Sequence, residues 1–368
     1  NKRSLWSTAG ITTDLKAFVV WSEHYGFKWI LNSRWKEINL NKPPVAIIGG
    51  PYQADEGQTI NLDASGSTDP DGDPLTYAWD LDGDGEYDDA DGPTAQVTYP
   101  DDGTYTVSVR VVDSKDAADT ASAQVVVANV APALCEISAP LDPVQVETSV
   151  EVSAAFTDPG ADTWTAVWDW GDGSTSEGEI TDFVVSGAHT YAEPGLYTLT
   201  LTVADDDGGQ DTVSFKYLVV VDPEAGFATG GGWINSPEGA YAEDPAVAGK
   251  ANLSFKAQYK KNRELPTGNL NFQFKEADLH LKISEYEWLV VAEDQAFFQG
   301  VGELNKEDGY GFLVAVQDGE QPDGFDRVRI KIWNQESGEV VYDTQPGDPL
   351  DAAPLTDLAG GSIVIHRK

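Results

Sequence analysis

Seven carboxylates crowd the twelve residues Asp80-Leu-Asp-Gly-Asp-Gly-Glu-Tyr-Asp-Asp-Ala-Asp91. Acids stand at loop positions 1, 3, 5, 9 and 12, with Gly85 at position 6. That is EF-hand-type spacing, in which alternate carboxylates converge on one ion and glycine permits the sharp turn. The spacing predicts Ca²⁺ held by Asp80, Asp82, Asp84, Glu86, Asp88 and Asp91. Two features depart from the pattern: position 12 is Asp rather than the longer Glu, and the flanks read as strands. The same run also reads as a solvated acidic turn. A second acidic segment, Asp69-Pro-Asp-Gly-Asp73, reads equally as a cation loop and as a proline–glycine turn. Asp169, Asp172 and Asp205-Asp-Asp207 are acidic but lack regular spacing.

Catalytic patterns are sparse. The four histidines, His24, His189, His280 and His366, share no metal-ligand spacing, and no H-E-x-x-H or G-x-S-x-G occurs. Gly230-Gly-Gly232 is not followed by the Lys-Ser/Thr of a phosphate loop. Nothing singles out a carboxylate pair for glycoside hydrolysis. The expectation is a non-enzymatic protein.

Charge narrows the partners. The 368 residues carry 23 Lys and Arg against 62 Asp and Glu, a formal net charge of -39. Such a surface repels nucleic acid and anionic membranes and attracts cations. No apolar run reaches the ~18 residues of a membrane span. With 11 Trp, 14 Tyr and 13 Phe, the chain can bury several cores, so disorder is not expected. The lone cysteine, Cys135, reads as a small buried hydrophobe. With no Met and Asn at position 1, removal of an upstream segment is expected.

The elements that must position these loops are strands. Residues 44–129 and 132–221 form an internal repeat. Thr98-Tyr-Pro-Asp-Asp-Gly-Thr-Tyr-Thr-Val-Ser-Val-Arg-Val-Val-Asp113 aligns without a gap to Thr190-Tyr-Ala-Glu-Pro-Gly-Leu-Tyr-Thr-Leu-Thr-Leu-Thr-Val-Ala-Asp205. Tyr105, Val107, Val109 and Val111 alternate with Thr106, Ser108 and Arg110, the pattern of a half-buried antiparallel strand. Tyr105 and Tyr197 stand where the tyrosine corner of an immunoglobulin sandwich would lie. Trp79 and Trp168 take the place of its buried tryptophan. Trp170 must share the face of Trp168 or be displaced at the loop.

Trp79-Asp80, Trp168-Asp-Trp-Gly-Asp-Gly173 and Asp63-Ala-Ser-Gly-Ser-Thr-Asp-Pro-Asp-Gly72 together resemble the motifs of the PKD (polycystic-kidney-disease-type) domain, in the family's order. The resemblance covers about residues 44–221. The second copy departs from it, with Phe156-Thr-Asp-Pro-Gly160 in place of the Ser-rich segment. It implies extracellular immunoglobulin-like domains that serve as spacers or adhesion modules.

Residues 226–368 read as β throughout and predict a C-terminal β-sandwich or jelly-roll. They resemble a module that follows such repeats in large secreted bacterial proteins. Residues 1–43 form a basic, aromatic, β-prone arm with Trp6, Trp21, Trp29 and Trp35; its seven Lys and Arg face three acids. Lys16–Trp21 and Phe27–Leu31 read as its strands. The expected fold is therefore all-β: tandem Ig-like (PKD) sandwiches and a C-terminal sandwich.

The expected function is that of an extracellular, cell-surface structural or adhesive protein, with a subunit of a surface layer or filament as its finer form. Its partners would be itself, as a homopolymer through the 1–43 arm, or cell-surface proteins and glycans. The alternative is a spacer or carbohydrate-binding region of a secreted hydrolase whose catalytic domain lies elsewhere.

Overall fold

A computed structural model describes the backbone of residues 16–25 and 28–37 and all of residues 41–261, 263–319 and 324–368. In the arm, strands Lys16–Tyr25 and Lys28–Glu37 pair antiparallel, from Lys16 opposite Glu37 to Tyr25 opposite Lys28. Phe27, expected to open the second strand, lies outside the described residues, as do the side chains of the arm's tryptophans. The chain divides into two compact units: 1–130 with 159–161, which holds the first repeat, and 131–158 with 162–368, which holds the second repeat and the C-terminal domain.

In the first repeat, Thr59–Asp63 pairs with Thr94–Thr98. A five-stranded sheet runs in the order Tyr52–Asp55, Ala118–Ala128, Gly103–Asp113, Leu75–Asp80, Ala90–Asp91. The alternation of Gly103–Asp113 lays Val107, Val109 and Val111 against Trp79, Ile60 and Leu62, all buried. Each such side chain contributes about 1.5–3 kcal/mol by leaving water. The second repeat repeats this plan with four-stranded and five-stranded sheets. Leu199, Leu201 and Val203 pack there on Trp168.

The tyrosine corner is present twice. The Tyr105 hydroxyl donates to the Asp101 carbonyl at 2.9 Å, and Tyr197 to the Glu193 carbonyl at 2.9 Å. Each net bond contributes about 1 kcal/mol. A second tyrosine stacks on each corner: Tyr99 on Tyr105 at 3.8 Å, Tyr191 on Tyr197 at 4.3 Å. Tyr99 and Tyr191 donate to the Leu81 and Trp170 carbonyls, tying the corner to the acidic loop. Burial pushes the Tyr99 phenol up to about 12, so it stays a donor. Trp170 shares the buried face of Trp168, stacked at 5.6 Å. Cys135 corrects its expectation: it is exposed, because it follows the short strand Ala133–Leu134 rather than lying on a core-facing position.

The C-terminal domain also differs from the expected sandwich. Strands Gly226–Ser236, Gly249–Gln258, Thr267–Phe274, Leu279–Ala292, Gln295–Leu304, Glu307–Gln317 and Arg327–Asn334 pair each with the next, antiparallel. Thr356–Arg367 then pairs with both Arg327–Asn334 and Gly226–Ser236. The sheet therefore closes on itself, with the short strand Val340–Asp343 paired along Arg327–Asn334 beside the seam. The barrel interior is filled by Phe255, Phe272, Phe298, Phe312 and Tyr342 among smaller side chains. Gly230 makes room for this packing, since a Cβ there would stand 2.6 Å from the Phe255 ring.

One outer side of the barrel is covered too. Trp288, Val290, Phe297, Leu313 and Ala315 pack with Val221, Val219 and Leu196 of the second repeat. A bulge assists: Tyr197 pairs with Leu218 but Leu199 with Phe215, so Tyr217 is extra, at φ 69°. Its hydroxyl accepts the Leu350 N–H at 2.9 Å. Beside it, Arg329 is fully buried. It makes a bidentate pair with Asp343, at 3.1 and 3.0 Å, and donates to the carbonyls of Gln345, Asp348 and Pro349.

Candidate functional site

The acidic loop of the first repeat starts where the Trp79 strand ends. Asp80 is buried there. Its Oδ1 accepts the Gly83 N–H at 2.7 Å and its Oδ2 that of Gly85 at 3.2 Å. Both glycines have positive φ, 78° and 89°, so the chain curls around this carboxylate. Asp82 and Asp84 each cap the backbone two residues on, at 3.1 and 2.8 Å. Asp89 Oδ2 accepts the N–H of Leu81 at 2.6 Å and of Asp82 at 3.3 Å.

Asp80, Asp82 and Asp89 thereby bring carboxylate oxygens within 4.8 Å of one another. Of the six residues expected from spacing, the structure gathers Asp80 and Asp82 and adds Asp89. Asp84, Glu86, Asp88 and Asp91 are exposed and stand outside the group. The physical reason is local. The tight Gly83 and Gly85 turns replace the EF-hand sweep, and Asp91 is drawn into pairing opposite Ala78.

A second group, Asp69, Asp71 and Asp73, also lies within 4.8 Å. Asp69 Oδ1 accepts the N–H groups of Asp71 and Asp73, at 2.8 and 3.1 Å, while its Oδ2 is buried and accepts nothing. Two lysines approach: Lys115 pairs with Asp73 at 2.7 Å, Lys42 with Asp71 at 3.8 Å. Close by in sequence to Lys115, Asp113 accepts the Asn41 amide at 2.7 Å, and that bond helps hold its carboxyl below the usual range.

The second repeat uses its loop differently. Asp169-Trp-Gly-Asp-Gly-Ser174 is a tight turn closed by the Trp170 N–H on the Ser174 carbonyl at 3.1 Å. Gly171 must be glycine: φ is 76°, and a Cβ would meet the Thr198 carbonyl at 2.5 Å. Asp172 faces His189 at 2.7 Å. Burial pushes this carboxyl up, but hydrogen bonds from Ser174 and His189 outweigh it and hold it low. The His189 ring stacks on Trp170 at 4.9 Å. Asp169 caps Gly171 instead, at 2.9 Å. Asp206 and Asp207 group with Asp162, which spacing did not single out.

Residues 41–127 and 129–220 match the family model of the PKD domain. The chain carries two tandem PKD domains. The barrel lies outside both matches. Among solved structures, the chain is similar to the PKD domain of an M14-like peptidase from Thermoplasmatales archaeon SCGC AB-540-F20. Identity is 23%, over 25% of this chain and 99% of that one, with a TM-score of 0.23. Fibronectin(III)-like modules of Clostridium thermocellum CbhA match at 16% identity over 48% of this chain and 95% of that one, TM-score 0.21. Carbohydrate-binding modules of the β-sandwich superfamily match at 17% identity over 64% and 79%, TM-score 0.22. PKD domains typically occur in extracellular proteins. Among the described residues, no helix is long and apolar enough to cross a membrane.

Proposed function

We propose that the chain is a non-catalytic extracellular structural protein, in which the PKD domains act as spacers and the second holds the barrel in a fixed orientation. The observation that carries this is the joint between them. Val221, Val219 and Leu196 are packed on Trp288, Val290 and Phe297, an apolar contact rather than a loose tether. Such a joint transmits orientation and force, which a flexible linker does not.

In this reading Ca²⁺ rigidifies the first PKD domain at Asp80, Asp82 and Asp89 and at Asp69, Asp71 and Asp73. Clustered carboxylate oxygens suit a hard cation, and a cation would relieve their mutual repulsion. Calorimetry tests both points. Residues 131–368 should unfold in one transition, and two separate transitions would remove the fixed joint. The first-domain transition should rise with Ca²⁺ and fall with chelator, by about 3 kcal/mol at a hundredfold excess over Kd. A first-domain transition indifferent to chelator excludes the cation.

The partner we propose is a second copy, taken up through the 1–43 arm into a surface layer or filament. Two strands alone are marginal in water, and among the described residues the arm's strands pair only with each other. The arm's +4 charge suits the acidic remainder. Sedimentation should find the intact chain assembled at low salt and the chain lacking residues 1–43 monomeric. An intact chain that is monomeric at every salt and concentration leaves the spacer reading alone.

A further inference from the structure

Against 62 acids in 368 residues, the adjacent barrel strands Gly226–Ser236, Gly249–Gln258 and Thr267–Phe274 contain none. Neither do the flanking stretches 279–284 and 358–367 on the strands to either side. Alternation decides what this outer face displays. Ala251, Leu253, Phe255 and Ala257 point into the core, so Lys250, Asn252, Ser254 and Lys256 stand outside. Leu270, Phe272 and Phe274 point inward and leave Asn269, Asn271 and Gln273 outside. Leu279 and Leu281 do the same for His280 and Lys282.

Lys250, Lys256 and Lys282 are exposed, and none makes an ion pair among the described residues. The acidic boundary is Glu303 opposite Lys282 on one side, Asp357 on the other, and Glu276 beside Gly249 at the strand ends. The rings on this face are not bare. Lys250 lies 4.7 Å over Trp233, and His366 stacks on Phe227 at 4.1 Å. A protein partner would want exposed aromatic anchors and few lysines. Amides beside ammonium groups on a flat face instead match a polymer rich in hydroxyls and carboxylates. Lys250 and Lys256 stand about 20 Å apart along their strand, a length suited to an extended chain.

We propose that this face of the barrel binds an acidic polysaccharide of the polyuronate type. The proposal goes beyond the spacer reading by assigning the barrel a ligand, and its test is independent of calorimetry and sedimentation. Near physiological salt the Debye length is about 8 Å, so the local lysines act while the distant acidic loops are screened.

The experiment is affinity electrophoresis of the full chain through gels holding polygalacturonate, dextran or polyglutamate. Polygalacturonate should retard it, dextran should not, and retardation should fall with salt. The combined Lys250→Gln, Lys256→Gln, Lys282→Gln variant should bind at least tenfold more weakly at an unchanged melting temperature, and the corresponding Arg variant should bind as the native chain does. No retardation by polygalacturonate, or a Gln variant that binds normally, overturns the proposal. Equal retardation by polyglutamate also overturns it, because charge alone would then be recognised.

Discussion

Replacing Arg329 by alanine should destabilise the barrel by about 3–5 kcal/mol. The guanidinium holds both oxygens of Asp343 and three backbone carbonyls of the segment that covers it. Without it, the Asp343 carboxylate is left buried and uncompensated. Lysine should not rescue the loss, because a point charge cannot reproduce the planar fork. A double replacement, Arg329→Met with Asp343→Leu, should recover only part of it: it removes the uncompensated charge but leaves the three carbonyls and the Gln345 N–H that Asp343 accepts without partners. Urea unfolding followed by tryptophan fluorescence reads these differences. A single-variant loss under about 1 kcal/mol would mean that water reaches the site and that the clamp is not structural.

Trp168→Ala should cost the second PKD domain about 3–5 kcal/mol, the range for a large aromatic deleted from a core. The indole is wholly buried, stacks on Trp170 and donates to the Ser186 carbonyl at 3.3 Å. Gly187 frames its slot, with a virtual Cβ 2.6 Å from the indole nitrogen. Gly187→Ala should therefore also destabilise the domain, by overpacking rather than by a cavity. The first PKD domain should melt unchanged in both variants. A transition of residues 131–368 that stays where it was would mean that the core closes over the gap.

The repeats were legible in the sequence because their constraints are local. The acid-x-Gly-x-Tyr spacing at Asp101–Tyr105 and Glu193–Tyr197 places the corner, and strict alternation fixes which face is buried, so Val107, Leu199 and Trp168 were readable. The acidic loop was legible in composition but not in membership. Carboxylate spacing implies a convergent loop only if the backbone sweeps evenly, and the turns at Gly83 and Gly85 do not. Asp89 enters through its bonds to Leu81 and Asp82, which no spacing rule encodes. Barrel closure was hidden because alternation reports a buried face and not a strand's partners; Thr356–Arg367 meets Gly226–Ser236 only through tertiary structure. Arg329 was hidden for the opposite reason: on its strand it alternates outward and reads as solvated, and only the covering segment buries it. The acid-free strands were visible all along, but their adjacency was not.

Barrel closure also sets an order of events during synthesis. Gly226–Ser236 waits for Thr356–Arg367, more than a hundred residues later, which is about 6–24 s at ~5–20 residues per second. The first PKD domain carries its own core and can fold well before then. The second can fold too, but Leu196, Val219 and Val221 then wait in water for Trp288, Val290 and Phe297 to emerge. The nascent chain thus presents this apolar patch before its cover exists, and that interval is where a holding chaperone has something to bind.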